Sequence, residues 1–385
     1  MLIGLLVVIF LSTFGIGLPN SLLGAAWPAM YEQMSVPGSY LGIVSMILVG
    51  SSFIASVYSG ILLKRFITSK IAVICFFMTT AALIGFARSG AYISLCLFAV
   101  PLGFGLGLID TALNNYVAVH FKAKHMSWLH CCWGVGATAG PIILSYGMKR
   151  FDSWHWGYYA IGGAHFGLAL ILILTLAWWK LAPERTKNKA ATGRVKFREL
   201  FKLRGIILSL ITFFVYCSIE SIIGTWGSSY LVIVKSVEPK LAAQWIALYF
   251  LGMTLGRFLS GFLTIKLNNR WMVRLGCAIL VFGNIVMILP FGEVFYLAGF
   301  LLMGLGCAPI FPCLIHNTPA FFGEENSPAI IGLQMASACI GAAVASALFG
   351  VAAARIGYEY FPLCLAALLI VMMVTNEALN KKSAL

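Results

Sequence analysis

The stretch that decides the fold runs from Pro101 to Val119, PLGFGLGLIDTALNNYVAV. It reads as one long apolar helix. Gly103, Gly105 and Gly107 lie along its first half, and Asp110, Asn114 and Asn115 are set inside the apolar run. A carboxylate in hydrocarbon costs a few kcal/mol or more unless it faces a wet cavity or a partner. Asp110 and Asn114 are four residues apart and share a helix face. The helix is therefore expected to present one lipid or packing face and one watery face, the wall of a polar passage.

The rest of the chain has the composition such a helix needs. Of its 385 residues, 61% are hydrophobic and 10% charged, and the mean hydropathy is +0.95. Soluble domains carry about 25% charged residues, so this is a polytopic membrane protein. A bilayer core takes about 20 apolar residues per crossing. Twelve spans joined by short loops then use nearly the whole chain and leave no room for a soluble catalytic domain. The net charge of +14 would suggest nucleic acid in a soluble protein. Here, with an inward N-terminus, most Lys and Arg fall in cytoplasmic segments, which is the positive-inside bias. We expect a multi-pass cell-membrane protein with both termini in the cytoplasm, and no nucleic-acid partner. The ten Cys lie in predicted spans and read as packing residues. Residues 2–18 have the core of a signal peptide but no basic flank, and the apolar run continues to Trp27 and Pro28. They are read as a retained first span.

The spans are expected at about Leu2–Ala26, Tyr40–Leu63, Ile71–Arg88, Tyr92–Val119, Ser127–Met148 and Gly157–Trp179. The second set falls at about Ile206–Val234, Leu241–Ile265, Trp271–Pro290, Val294–His316, Ala329–Ala354 and Tyr360–Thr375. Between the sixth and seventh, Lys180 to Arg204 carries nine Lys or Arg against Glu184 and Glu199. A basic segment beside a membrane is attracted to anionic lipid. An internal repeat divides the chain at the same place. Ser59-Gly60-Ile61-Leu62 is echoed 201 residues later by Ser260-Gly261-Phe262-Leu263, and Gly105-Leu106-Gly107 is echoed in span ten by Gly304-Leu305-Gly306. The expected organisation is an N-terminal six-helix bundle over 1–180, a basic cytoplasmic linker over 181–204 and a C-terminal six-helix bundle over 205–385.

These residues resemble the major facilitator superfamily. Gly60, Leu62 and Arg65 match its loop motif after span two, while Lys64 stands where the family has Asp and Ile67 replaces the second Gly. Gly136, Gly140 and Pro141 in span five are similar to a pattern seen in exchangers. Further stretches resemble the fucose-permease-like branch, which includes sugar symporters: Ser21 to Pro28, Gly107 to Asn114, Trp128-Leu129-His130 leading to Ala137, Glu220 to Tyr230, Gly256-Arg257, Ala308 to Pro312 and Gly332 to Met335. Gly24 occupies the place of the span-one acid of fucose carriers. The resemblance implies an all-α membrane fold of twelve helices in two pseudo-symmetric bundles, with a central cavity lined by spans one, four, seven and ten. It also implies alternating access for a sugar or sugar-like polar solute, coupled to a proton or sodium ion.

Particular residues carry this expectation. Asp110 in low dielectric is suited to load and release a proton. Asn114 can bond a sugar hydroxyl or serve as interhelical glue. Glu220 lies mid-span in span seven, and Trp226 and Tyr230, four apart, offer a stacking plane and a phenol. The alternative for both aromatics is an anchor at the membrane interface, and Trp27 is a further solute-binding candidate. Glu220 serves either solute or ion, and His130 is a further relay candidate. Asn20 and Gln334 are cavity candidates. Arg257, buried in span eight, wants a carboxylate partner and is read as a structural or gating residue, as are Gly136, Gly140 and Pro141. No metal site is expected, because the spacing of His125 and His130 does not stack two ligands on one helix face. The Gly runs are packing surfaces rather than nucleotide loops. No cofactor is expected, and no enzyme activity, since no nucleophile–base set is evident. A monomer is expected. A drug or metabolite exporter working as a proton antiporter, and a non-transporting sensor or scaffold, are the alternatives.

Overall fold

A computed structural model describes residues 2–121, 123–180, 200–264, 266–289, 291–323 and 326–382. The apolar runs are helical throughout, and no strand occurs among the described residues. The first set of spans is Leu2–Asn20 with Leu22–Gln33, Leu41–Arg65, Thr68–Arg88, Tyr92–His120, Ala123–Phe151 and His155–Leu174. The second set is Ile206–Lys235, Pro239–Leu263, Asn269–Ile288, Glu293–Cys307 with Ile310–Phe322, Ser327–Ile356 and Phe361–Lys382. Eleven of these are long and apolar enough to cross a membrane. Span five is as long, at 29 residues, but more polar. The chain is a multi-pass membrane protein.

Several boundaries differ from expectation, and span one runs on past Ala26 to Gln33. Span six stops at Leu174 rather than Trp179. The N–H and hydroxyl of Thr175 both turn back to the Ile171 carbonyl, at 3.0 and 2.8 Å, and a 3-10 turn follows over Leu176–Lys180. Spans ten and twelve run on past His316 and Thr375, to Phe322 and Lys382. The expected linker over 181–204 lies outside the described residues except for 200–204.

Two spans are interrupted, and prolines explain how. Pro19 has no N–H for the Gly15 carbonyl. The buried His165 of span six supplies the donor instead, with Nε2 at 2.9 Å, while its Nδ1 meets Thr79 Oγ1 at 2.8 Å. Span one breaks immediately after, at Asn20–Ser21. Pro141 likewise releases the Ala137 carbonyl, and the Ser21 hydroxyl at that break donates to it at 2.6 Å. Span ten breaks at Ala308–Pro309. The Tyr216 hydroxyl donates to the Cys307 carbonyl there at 3.0 Å.

The chain forms two compact units, Met1–Asn188 with Gly227–Ala247, and Lys189–Trp226 with Leu248–Leu385. In the first, spans one and five pack backbone to backbone. A Cβ at Gly136 would overlap the Phe14 carbonyl oxygen, one at Gly140 that of Leu18, and one at Gly17 that of Trp133. The same unit takes in the end of span seven and the start of span eight. Ser145 donates to the Lys240 carbonyl at 2.7 Å, and Lys149 to Gln244 Oε1 at 2.7 Å.

The repeat is one of contacts, shifted two residues from the Gly-Leu-Gly echo in the sequence, so that Gly103 rather than Gly105 corresponds to Gly304. In the first unit Gly103 lies against the Leu48 carbonyl; in the second Gly304 lies against that of Tyr249, each partner 201 residues on. Gly105 meets Cys75 and Thr79, and Gly306 meets Gly276 and Leu280, again 201 residues on. Small residues let these backbones approach closely. The fold is two pseudo-symmetric six-helix bundles.

Candidate functional site

Packing on one side of span four places Asp110. Gly103 and Gly107 fit against Leu48 and Ser52 of span two, and Thr111 donates to Ser56 Oγ at 3.1 Å. Ile109, Ala112 and Leu113 are buried in the core formed with spans one, three, five and six. Asp110 and Asn114 are only half-buried between these contacts. The Asn114 amide donates to the Asp110 backbone oxygen at 2.9 Å and to its Oδ1 at 3.0 Å. The acid and the amide therefore form one unit within a single helix. Asn115 is exposed.

Glu220 sits in a different setting. It is half-buried in span seven, within electrostatic reach of Tyr216 and Cys217 of its own helix, Tyr249 of span eight and Cys307 of span ten. Arg257 of span eight also acts on Tyr216 and Cys307. Tyr216 and Tyr249 are fully buried. Both point their hydroxyls at the break in span ten, Tyr216 to the Cys307 carbonyl and Tyr249 to its Sγ at 3.6 Å. Two phenols thus meet where a helix is interrupted, with a carboxylate and a guanidinium within electrostatic reach. Neither tyrosine is among the candidates read from sequence. Tyr216 precedes Glu220 by four residues and so shares its face, which is a readable signal. Tyr249 carries none, since only the fold brings span eight there.

The remaining candidates separate by exposure. Asn20, at the break in span one, is exposed. His130 is exposed and has interaction partners, as does the half-buried Arg257. Trp27 and Trp226 are 0% exposed and Tyr230 is 2% exposed. The Trp27 indole donates to the Gly38 carbonyl at 2.7 Å and that of Trp226 to the Ser346 carbonyl at 2.9 Å. Lys235 lies over the Tyr230 ring. Gln334 is buried and engaged at both ends: its amide donates to Ser209 Oγ at 2.7 Å, and its oxygen accepts from Thr318 at 3.0 Å. Gly136, Gly140 and Pro141 sit at the contact of spans one and five described above.

The chain is similar to known transporters over most of its length. It is 21% identical over 312 residues to the glucose/mannose transporter GlcP of Bacillus subtilis, covering 78% of this chain and 76% of that one. Its fold matches the nucleoside transporter NupG, with TM-score 0.75 and 16% identity, covering 97% of this chain and 98% of NupG. It also matches a peptide transporter POT, with TM-score 0.80 and 14% identity, over 98% of this chain and 95% of the other. The family model of the Major Facilitator Superfamily matches residues 9–244 and 236–380. With that match added to two repeated bundles of apolar helices carrying acids inside their spans, the chain belongs to the Major Facilitator Superfamily, and it is a membrane transporter.

Proposed function

We propose that this transporter carries a sugar or sugar-like small polar solute by alternating access, coupled to a proton or sodium ion. Asp110 is the coupling group and Glu220 the principal solute ligand. The observation that carries this reading is the Asp110–Asn114 pair: an acid inside an apolar span whose side-chain partner is an amide one turn away. Intramembrane acids of this kind mark ion and substrate paths. Around Glu220, carboxylate, guanidinium and phenol groups suit a solute rich in hydroxyls. The likeness to a protein named as a glucose/mannose transporter supports the sugar class. Asn20, exposed at the span-one break, and Asn114 are the amides read as solute ligands in the first unit. Trp27, Trp226, Tyr230 and Gln334, read as further solute ligands, already have their polar atoms or rings engaged. We place both termini in the cytoplasm and read the transporter as a monomer, with 1–180 and 205–385 as its two halves.

The test is uptake by the purified full chain in liposomes, with labelled hexoses, hexitols and nucleosides under imposed proton or sodium gradients. Accumulation of a neutral sugar against its gradient is the expected result. Uptake of none of them, together with extrusion of cationic amphiphiles, would favour the exporter reading. Should Asp110→Asn still accumulate solute at the normal rate, Asp110 is not the coupling group.

A further inference from the structure

Asn114 spends both hydrogens of its amide on one residue. Its Nδ2 donates to the Asp110 carbonyl at 2.9 Å and to Asp110 Oδ1 at 3.0 Å. A backbone carbonyl can only accept, so this network assigns the amide nitrogen, not its oxygen, to the Asp110 side. With the amide docked on Oδ1, Oδ2 is the oxygen left open for a proton loaded on Asp110. Among the described residues nothing donates to Asp110 Oδ2 or to Asn114 Oδ1.

The two charge states of Asp110 grip the amide unequally. A hydrogen bond to an ionised carboxylate is about twice as strong as one to a neutral acid. Among the described residues, the helices packed on span four supply no charge that acts on Asp110. Span two brings Ser52 and Ser56, and span three brings Cys75 and Thr79. Span five carries the titratable His130, Cys131 and Cys132. Among the described residues none of these, nor any charged group of span one, acts on Asp110; its side-chain partner is Asn114.

We propose that Asn114 is the element through which the ion and the solute sense each other: ionised Asp110 keeps the amide docked, and proton loading on Oδ2 releases its N–H groups to a solute hydroxyl. Asn114 is then a positioning and specificity residue. The sign of its coupling is fixed, because loading the proton strengthens solute binding, and by linkage solute binding strengthens proton loading. That is the thermodynamic requirement for moving both in the same direction. The inference rests on Asp110 being the coupling group.

The test is equilibrium binding of tritiated D-glucose to the purified full chain, from acid to alkaline pH, in wild type, Asp110→Asn, Asn114→Ser and Asn114→Gln. Wild type is expected to bind about tenfold more tightly at the acid end, the difference between a charged and a neutral hydrogen bond. Asp110→Asn is expected to bind with no pH dependence. Asn114→Ser should bind more weakly and with a flat pH profile, whereas a purely structural role would weaken binding and leave the slope intact. Asn114→Gln keeps an amide one methylene further out, so it should show an intermediate slope; it also serves if the Ser variant does not fold. A flat Asp110→Asn profile beside wild-type slopes in both Asn114 variants overturns the assignment of Asn114 alone. A wild-type slope in Asp110→Asn overturns the reading of Asp110 beneath it. Absence of glucose binding in wild type at every pH overturns the hexose reading and this inference with it.

Discussion

Asp110 and Glu220 are both half-buried acids inside apolar spans, one in each half, yet their surroundings have opposite construction. Asp110 is partnered within its own helix, by Asn114 one turn on. Glu220 acts on groups from spans seven, eight and ten, two of which Arg257 also acts on, around a helix break held by Tyr216 and Tyr249. A charge change at Asp110 can be absorbed locally, by one amide. A charge change at Glu220 is felt by three helices at once. The first arrangement suits an acid that must gain and lose a proton in every cycle. The second suits a fixed, preorganised ligand set for a solute. The pseudo-symmetry of the halves therefore repeats the packing but not the chemistry.

The strongest way to break this contrast is to neutralise each acid without changing its size. Asp110→Asn is expected to abolish accumulation against a gradient while leaving solute exchange across the liposome membrane. Loss of exchange as well would make Asp110 a solute ligand. Glu220→Gln is expected to do the reverse, keeping the direction of coupling but weakening solute binding. A lost hydrogen bond to a charged group is worth about 1.5–3 kcal/mol, or roughly 10–100-fold in affinity. An unchanged affinity in Glu220→Gln, measured by counterflow, would remove Glu220 from the solute site.

The packing that positions these acids is largely legible in the sequence; their neighbourhoods are less so. The small residues can be seen by eye, because close helix approach requires them, but matching Gly105-Leu106-Gly107 to Gly304-Leu305-Gly306 is two residues out of register: in the fold Gly103 and Gly105 correspond to Gly304 and Gly306. The acids stand out because charge is rare in apolar runs. The breaks in spans one and ten are not among the expectations, although Pro19 and Pro309 stand at them. A proline releases a carbonyl, but whether the helix then bends or breaks depends on which group satisfies that carbonyl. At Pro19 the donor is His165, which comes from span six and a distant chain position. The burial of Trp226 is hidden for the same reason: its Ser346 partner lies 120 residues away.

The repeated packing itself can be tested at matched positions, with a smaller expected effect. Gly103→Ala in the first half and Gly304→Ala in the second each push a methyl into a carbonyl oxygen of the neighbouring span. Overpacking of this kind costs about 1–3 kcal/mol. Both variants are expected to lower the thermal midpoint of the purified protein by similar amounts. Gly163→Ala in span six is the control: nothing lies within 4 Å of its added Cβ, and a helical Gly→Ala change is stabilising by about 0.5–1 kcal/mol. Unequal losses at Gly103 and Gly304 would show that the halves share a pattern but not its energetics.

The smallest effect is expected at a third acid, Glu377, which sharpens the comparison by removing burial from it. Its carboxylate takes a two-pronged bond from Arg274, Nε to Oε1 at 2.9 Å and Nη2 to Oε2 at 2.7 Å, and the Arg274 guanidinium lies over the Trp271 ring. The pair has two short, parallel, charge-assisted bonds, where Asp110 has a single amide on its carboxylate. Both side chains are nevertheless exposed, at 43% and 36%. Water and salt screen such pairs, and many contribute nothing measurable. Glu377→Gln is therefore expected to leave both the thermal midpoint and solute uptake unchanged, at low and at high salt. A loss comparable to that of Glu220→Gln would mean that the pair is shielded within the membrane or couples spans nine and twelve during the cycle, because pair geometry alone cannot supply such an effect in water.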